Sequence, residues 1–421
     1  MPTDDLLSAS VRGHKDFSRL WAGLAISQFG SAIGMVALPV VAVILLKAST
    51  FQVAVLAATT SVTIALLAFP MGNVVEHRRK RPVMIGADLL RFSSLITVPI
   101  AGLLDVLTFA HLCVAAALTA LGQIAFQSAS QAHLKALVGP DRIVDATGRL
   151  ESTQWLNLTV GPSLGGLLIG LLGALGTLVV DAVSFLVSAG AIYRLREPEP
   201  EPVVSPTGTS RRKELLAGLL FAARHPTLRW VLPSWLAFAG SVAMAAPVAI
   251  VFYLSDLNFN ALQYGLLLGL PSLGGFIGAR LARPMSARFG VLRTLRLASL
   301  ARGPWQFLIP LAVPGPVGLV MCLVGTFGVL FFAAMANTTM AGYRAIITPD
   351  HLMVRVSTLW SFTTTVGQPL FILVGGLLAS QVGNRATLYV AAALMIASSL
   401  LLLPASIPFS ARQRPRPESA D

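Results

Sequence analysis

Runs of apolar residues, each about as long as a membrane-crossing helix, follow one another along almost the whole chain with short polar turns between them. A helix needs about 20 apolar residues to cross the hydrocarbon layer of a bilayer. On that measure the pattern predicts twelve helical segments: 20–45, 51–75, 83–104, 109–131, 147–172, 174–193, 228–253, 262–283, 293–313, 316–340, 356–381 and 385–405. One polar stretch is much longer than the rest. Residues 194–227 hold Glu197-Pro198-Glu199-Pro200-Glu201-Pro202, then Ser205-Pro206-Thr207-Gly208, then Arg211-Arg212-Lys213. Such Pro- and charge-rich composition makes a semi-extended linker. It divides the segments six and six. The expected domains are an N-terminal six-helix bundle over 1–193, a linker over 194–227, and a C-terminal six-helix bundle over 228–421 with a short tail.

Composition narrows the class. Of 421 residues, 55% are hydrophobic and 12% charged, and mean hydropathy is +0.75, whereas a soluble domain carries about 25% charged residues. An all-α, multi-pass membrane protein is expected. The net charge of +13 would suit a nucleic-acid partner, but its distribution does not. Of 31 lysines and arginines, only Lys47 and Arg385 fall at turns on one side of the membrane. The others lie on the opposite side or just inside the helices that begin there. By the positive-inside rule that side is cytoplasmic, and both termini and the linker lie on it. No nucleic-acid partner is expected. Cys113 and Cys322 sit in separate apolar runs with no ligand cluster, so neither a disulfide framework nor a metal site is expected. No cleavable leader is expected either, because the first apolar run is too long for one.

The halves repeat each other. Ala87-Asp88-Leu89-Leu90-Arg91 matches Ala298-Ser299-Leu300-Ala301-Arg302, with Pro99 and Pro310 following at the same distance. Lys135-Ala136-Leu137-Val138-Gly139-Pro140-Asp141 matches Arg344-Ala345-Ile346-Ile347-Thr348-Pro349-Asp350, and Gly165-Gly166-Leu167-Leu168 matches Gly375-Gly376-Leu377-Leu378. Two six-helix halves in parallel repeat are how one large group of secondary transporters is built.

Segment five is unusual. Between Gly148 and Gly166 it carries Gly161-Pro162 and Gly165-Gly166 inside an apolar helix, and Asn157, Gly161 and Gly165 recur every four residues to form one smooth stripe. Spanning helices tolerate such breakers where neighbours pack closely. The plain alternative is a bent, tightly packed helix with no further role.

With these features the chain resembles the major facilitator superfamily over nearly its whole length, and most of all the branch of enterobactin exporters and macrolide or multidrug efflux proteins. The loop Gly72-Asn73-Val74-Val75-Glu76-His77-Arg78-Arg79-Lys80-Arg81 is similar to the superfamily's GxxxDRxGRR loop, with Glu76 for the Asp, His77 for the Arg and Arg79 for the second Gly. The resemblance implies a gate on the cytoplasmic side in which such an acid and cations change partners as the halves rock. A topology-setting cluster would explain Arg78 to Arg81 equally well. Gly148, Gly161, Pro162, Gly165 and Gly166 are similar in spacing to the family's segment-five antiporter motif, with Asn157 replacing its middle Gly. That implies export, and implies packing against segment eight, where Gly265, Gly269, Gly274, Gly275 and Gly278 lie. Segment four reads Ala116-Ala117-Leu118-Thr119-Ala120-Leu121-Gly122-Gln123. It lacks the Arg that proton antiporters of the commoner drug-efflux branch carry there.

Charges inside the membrane are costly and mark function by default. Asp181, in segment six, is the candidate proton-coupling site; its alternative is a structural, hydrogen-bonding acid. Asp88 and Arg91 stand one helical turn apart, and an ion pair serving the gate is expected of them. Arg302 has no acid three or four residues away, so an anionic substrate group or snorkelling to the interface could engage it. Gln28, Gln127, Gln154, Asn337, Thr364 and Gln368, with Trp235 as an aromatic wall, are candidates for a central cavity suited to amphiphilic molecules. Each amide could instead be interhelical glue. There is no GxxxxGK[ST] loop and no nucleophile constellation, so neither ATP, another cofactor nor an enzymatic activity is expected. The expected protein is a monomeric, proton-driven exporter of drug-like toxins or metabolites such as siderophores, in the inner (plasma) membrane among lipid. The alternatives are an importer of the same fold and a non-transporting membrane sensor.

Overall fold

The computed structural model describes residues 15–139, 142–196 and 219–404. The Pro- and charge-rich part of the linker, Pro140-Asp141 of the repeat, and the basic residues before Lys15 and after Arg385 lie outside the described residues. Among those described there is no strand. The helices are α1 (Lys15–Val40), α2 (Thr50–Glu76), α3 (Lys80–Leu103), α4 (Phe109–Val138), α5 (Ile143–Tyr193), α6 (Leu228–Val251), α7 (Ala261–Gly269), α8 (Ser272–Phe289), α9 (Val291–Gln306), α10 (Leu308–Leu311), α11 (Pro316–Ile347), α12 (Asp350–Val382) and α13 (Asn384–Leu400). Helix α5 joins expected segments five and six and breaks between them at Gly173, whose φ of 74° suits a residue without Cβ.

Nine helices among the described residues are long and apolar enough to cross a membrane, α5 counting once and α7–α8 counting as one. Expected segments nine and twelve correspond to α9–α10 and α13, which are interrupted or short. Several helices outrun their apolar segments at the basic end: α1 starts at Lys15, α4 reaches Val138 and α11 reaches Ile347. The bilayer ruler registers only the part in hydrocarbon, and the helix continues past it.

The sequence repeat returns in backbone detail. Ser49 opens α2 with a capping box, its Oγ accepting from Gln52 N while Gln52 Oε1 accepts from Ser49 N. Asn260 and Gln263 do the same for α7. Two orphan N–H groups are satisfied at each start. Helices α1 and α6 both end in a π turn, Val41–Leu45 and Phe252–Asp256. Each is followed by a left-handed residue, Lys47 or Asn258.

Helices before Tyr193 pack chiefly on one another, as α1 on α5 and α3 on α4; those after Leu228 do likewise, as α8 on α11 and α6 on α12 and α13. Between these groups, α5 meets α7 and α2 meets α12. One apolar cluster crosses from Val36, Val41 and Leu178 to Phe252, Tyr264 and Leu388. At the basic end there are two clusters instead, one around Phe17, Met84 and Phe126 and the other around Leu228, Leu295 and Trp360. The molecule is joined at one end and parted at the other.

One face of α5 shows the parting directly. Gly148, Ser152, Trp155, Thr159, Pro162 and Gly166 follow each other at helical spacing. Gly166 and the Pro162 carbonyl lie against Gly265 of α7, and Thr159 hydrogen-bonds Ser272 at 2.9 Å. Toward the basic end, Trp155, Ser152 and Gly148 on the same face are exposed. The facing helix behaves alike: Phe276 and Arg283 lie past Gly269 and Ser272, and both are exposed.

Candidate functional site

Three charged side chains meet inside the first group of helices. Arg91 and Asp88 project from α3, with Nη1 3.6 Å from Oδ1. Arg91 Nη2 donates to Ser31 Oγ of α1 at 3.0 Å, and its guanidinium lies 3.8 Å over the ring of Phe185 in α5. Asp181, one turn before Phe185 on α5, stands in the electrostatic field of the same guanidinium and beside Ser31. Asp88 is 0% exposed and Asp181 7%, and Asp181 Oδ1 and both Asp88 carboxyl oxygens lack a hydrogen-bond partner in the structure. A buried acid without full hydrogen bonding is costly in a membrane. Both acids lie near one cation, Asp88 within ion-pair distance of it and Asp181 further off.

Small residues make the meeting possible. A Cβ at Gly34 of α1 would collide with the Asp181 carboxyl, and one at Gly30 with Ser184. A Cβ at Gly122 of α4 would stand 2.6 Å from Arg91 Cγ. So although segment four has no Arg of its own, its Gly122 makes room for the Arg that reaches over from α3. The three-residue spacing pairs Asp88 with Arg91, and Asp181, 90 residues beyond Arg91 in the chain, joins them only in the fold. The signal in the sequence for this contact is the one-turn separation of Gly30 and Gly34, a small-residue face that admits a close approach.

The repeat-equivalent position in the second group is different. Arg302 of α9 is 3% exposed, donates from Nη2 to Ser398 Oγ at 3.1 Å, and lies 3.7 Å over the ring of Phe238. Ser299 stands where Asp88 stands, and the stretch matching Asp181 is Ala391-Ala392. Among the described residues no acid pairs with Arg302, and its Nε has no hydrogen-bond partner. Beside it are Ser234, Trp235, Ser299 and Asn337, lining a narrow cleft of about 10 Å³, room for about one water-sized group. Trp235 Nε1 donates to Thr364 Oγ1 at 3.4 Å, and Gln368, exposed, follows Thr364 by one turn.

The segment-five glycines serve two neighbours, which corrects one expectation. The stripe of Asn157, Gly161 and Gly165 packs on α1 and not on segment eight. Asn157 Nδ2 donates to Ala25 O at 3.2 Å, a Cβ on Gly161 would strike Ala32, and one on Gly165 would come within 2.5 Å of Ile33 O. Segment eight meets the adjacent face, through Pro162, Ser163 and Gly166 against Gly265 and Gly269. Gly274 and Gly278 face Phe327 and Phe331 of α11. A four-residue spacing identifies a stripe but not which neighbour it meets. Gly148 packs on nothing nearby.

In the loop after α2, Lys80 Nζ donates to the carbonyls of Val75, Glu76 and Arg78 at 2.7 to 2.8 Å, closing the C-terminus of α2. Arg81 donates to the carbonyls of Ile192 and Tyr193 at the end of α5. Arg296, one turn further along α9 than the position matching Arg81, donates to the carbonyls of Leu402 and Leu403, which match Ile192 and Tyr193. His77, Arg78 and Arg79 are exposed, Gly72 has open space around it, and Glu76 is half-buried with no ion pair among the described residues. Gln28 is half-buried, while Gln154 and Gln127 are exposed, the latter in a polar stripe with Gln123 and Gln131. Trp305 stacks on Phe332, and Trp360 is buried under Arg344.

The repeated helices and the intramembrane charges are features of a membrane transporter, and the fold is that of the major facilitator superfamily. Residues 9–418 match the model of one of its families, described as transmembrane secretion effector, and the chain belongs to that family. It is 28% identical over 377 residues to the multidrug efflux pump Tap of Mycolicibacterium fortuitum, covering 88% of this chain and 90% of Tap. It is 27% identical over 423 residues to the enterobactin exporter EntS of Shigella flexneri, covering 94% of each. Its fold is similar to that of a bacterial homologue of the iron transporter ferroportin. The TM-score is 0.75 to the inward-facing state at 16% identity, over 93% of this chain and 98% of the other. To the outward-facing state it is 0.56 at 17% identity, over 92% and 98%.

Proposed function

We propose that this chain is a secondary active exporter of small amphiphilic compounds, either drug-like toxins or secreted metabolites such as siderophores, driven by protons moving the other way. It would work as a monomer of twelve spans in two six-helix bundles, 1–193 and 228–421, joined by the linker 194–227. Its termini would be cytoplasmic and its place the inner membrane, as the charge distribution favours. The parted end would then be the cytoplasmic one, where an exporter takes up its substrate.

The observation that carries the coupling is the shared cation. With Asp88 and Asp181 both ionised, one guanidinium leaves the buried group with one surplus negative charge, and one proton removes it. Asp181, after the Gly173 break in α5, packs on α1 at Gly34, and α1 in turn packs on the part of α5 before the break, which forms the contact to α7 that must open when the molecule changes state. Protonation there can therefore bias the rocking of the halves, which is the requirement for coupling. Direction is supported by the two relatives named as an efflux pump and an exporter. In the closing loop, Glu76 and the exposed Arg78 and Arg79 would find partners when the parted end shuts.

Expression in an efflux-deficient bacterium tests this reading. The chain should lower accumulation of ethidium or a macrolide severalfold, and a protonophore should restore it. Unchanged accumulation over a broad panel, together with unchanged siderophore secretion, would remove export.

A further inference from the structure

A buried guanidinium without an acid is unusual enough to need a partner. In a medium of low dielectric an isolated charge is far more costly than a paired one. Arg91 and Arg302 occupy equivalent places, and both have an aromatic ring under the guanidinium and a serine hydroxyl on one Nη2. Only Arg91 has carboxylates. At Arg302 the equivalents are Ser299 and Ala391-Ala392, which carry no charge. Phe238 and Ser398 lessen the cost of the cation but do not neutralise it, and Nε is left without a partner.

The space beside Arg302 is shaped for what is missing. The cleft has hydroxyl groups at Ser234 and Ser299 and an amide at Asn337, with Trp235 and Met340 as apolar walls. Ser234 Oγ already donates to Ser398 O at 2.6 Å, so the donors left for a ligand are the guanidinium, the Ser299 hydroxyl and the half-buried Asn337 amide. A planar guanidinium with a neighbouring hydroxyl and amide is the donor set of a small oxyanion. The cleft has room for about one water-sized group, the size of a single carboxylate oxygen or a small ion, and excludes a whole amphiphile.

We propose that the Arg302 cleft is an anion subsite, binding a single small monoanionic group in place of the acid that the first half builds in. The group is carried in as the carboxylate of an amphiphilic substrate or enters as a free inorganic ion. The assignment of the substrate arm rests on the exporter reading above. The cation, idle in the first half because Asp88 and Asp181 hold it, is free in the second half to select substrate charge.

The test measures binding, not efflux, so its failure is separate from failure of export in the accumulation assay. Purified full-length protein in a neutral detergent is titrated calorimetrically with 4-butylbenzoate and with 4-butylbenzamide, each corrected by titration into empty micelles. In a buffer free of chloride and of carboxylates the wild type should bind the carboxylate about tenfold more tightly than the amide, the scale of one charge-assisted interaction. Ser299→Asp, which places an acid as Asp88 is placed, should abolish that preference. Arg302→Gln should abolish it too, and provides a second variant should one fail to fold. Equal binding of the pair, with saturable chloride binding that Ser299→Asp removes, would assign the subsite to a free ion. No anion preference and no chloride binding in the wild type, or a preference that survives both substitutions, overturns the proposal.

Discussion

Arg91 and Arg302 occupy matching places in the sequence repeat, and their surroundings differ. Around Arg91 the chain supplies two acids, Asp88 and Asp181, and glycines at 30, 34 and 122 that let α1, α3, α4 and α5 close over them. Around Arg302 it supplies hydroxyls, an amide and a cleft. The first half keeps its charges for itself. The second leaves one charge open, and on the reading proposed above that asymmetry lets proton and substrate be handled at separate cations.

Substitution of the two cations should show the difference most strongly. Arg91→Gln strands two buried acids and is expected to cost about 3–5 kcal/mol, the usual loss when one partner of a buried pair is removed. Arg302→Gln removes an uncompensated charge and can keep the bond to Ser398, so its cost should stay under about 1 kcal/mol. Thermal unfolding of both variants in the same detergent, followed by tryptophan fluorescence, makes the check. Equal losses would mean that the two environments are not different in the way described.

A smaller contrast lies at the entry to each half. Asp16 Oδ2 accepts from Arg196 N at 2.7 Å beside the start of α1. Before α6 the acceptor is a ring: His225 Nδ1 receives the N–H groups of Thr227 and Leu228 at 3.2 and 3.3 Å, which needs the neutral imidazole. Burial lowers the pKa of His225 below the ordinary value. With the folded value below the unfolded one, near 6.5, this stabilisation is complete above the unfolded value and is lost as pH falls through the folded value. Between pH 7.5 and 5.5 the wild type should therefore lose more thermal stability than His225→Asn, which can cap without titrating. An identical loss in both would remove His225 from the account.

Much of the fold was legible, because bilayer thickness, the linker and the repeat all leave a mark in one dimension. The break between segments five and six fell at Gly173, where the apolar run was divided. What the sequence did not carry was which faces meet. The Asn157, Gly161 and Gly165 stripe was visible, yet its partner is α1, since spacing describes one surface and says nothing of the opposing one. Likewise Asp88 with Arg91 could be read from a three-residue spacing. Asp181 could not be joined to them, because that contact depends on α1 offering Gly30 and Gly34 from far away in the chain. The isolation of Arg302 was half legible: the missing local acid could be read, the absence of a distant one could not.

The central claim is that proton movement passes through the acids held by Arg91. It is tested most directly in proteoliposomes loaded with a pH-sensitive dye, by adding a transported drug and reading the internal pH. Wild-type protein should move protons against the drug, and Asp181→Asn should remove that proton flux while the protein still inserts and still binds the drug. Undiminished drug-driven proton flux in correctly inserted Asp181→Asn would contradict the account.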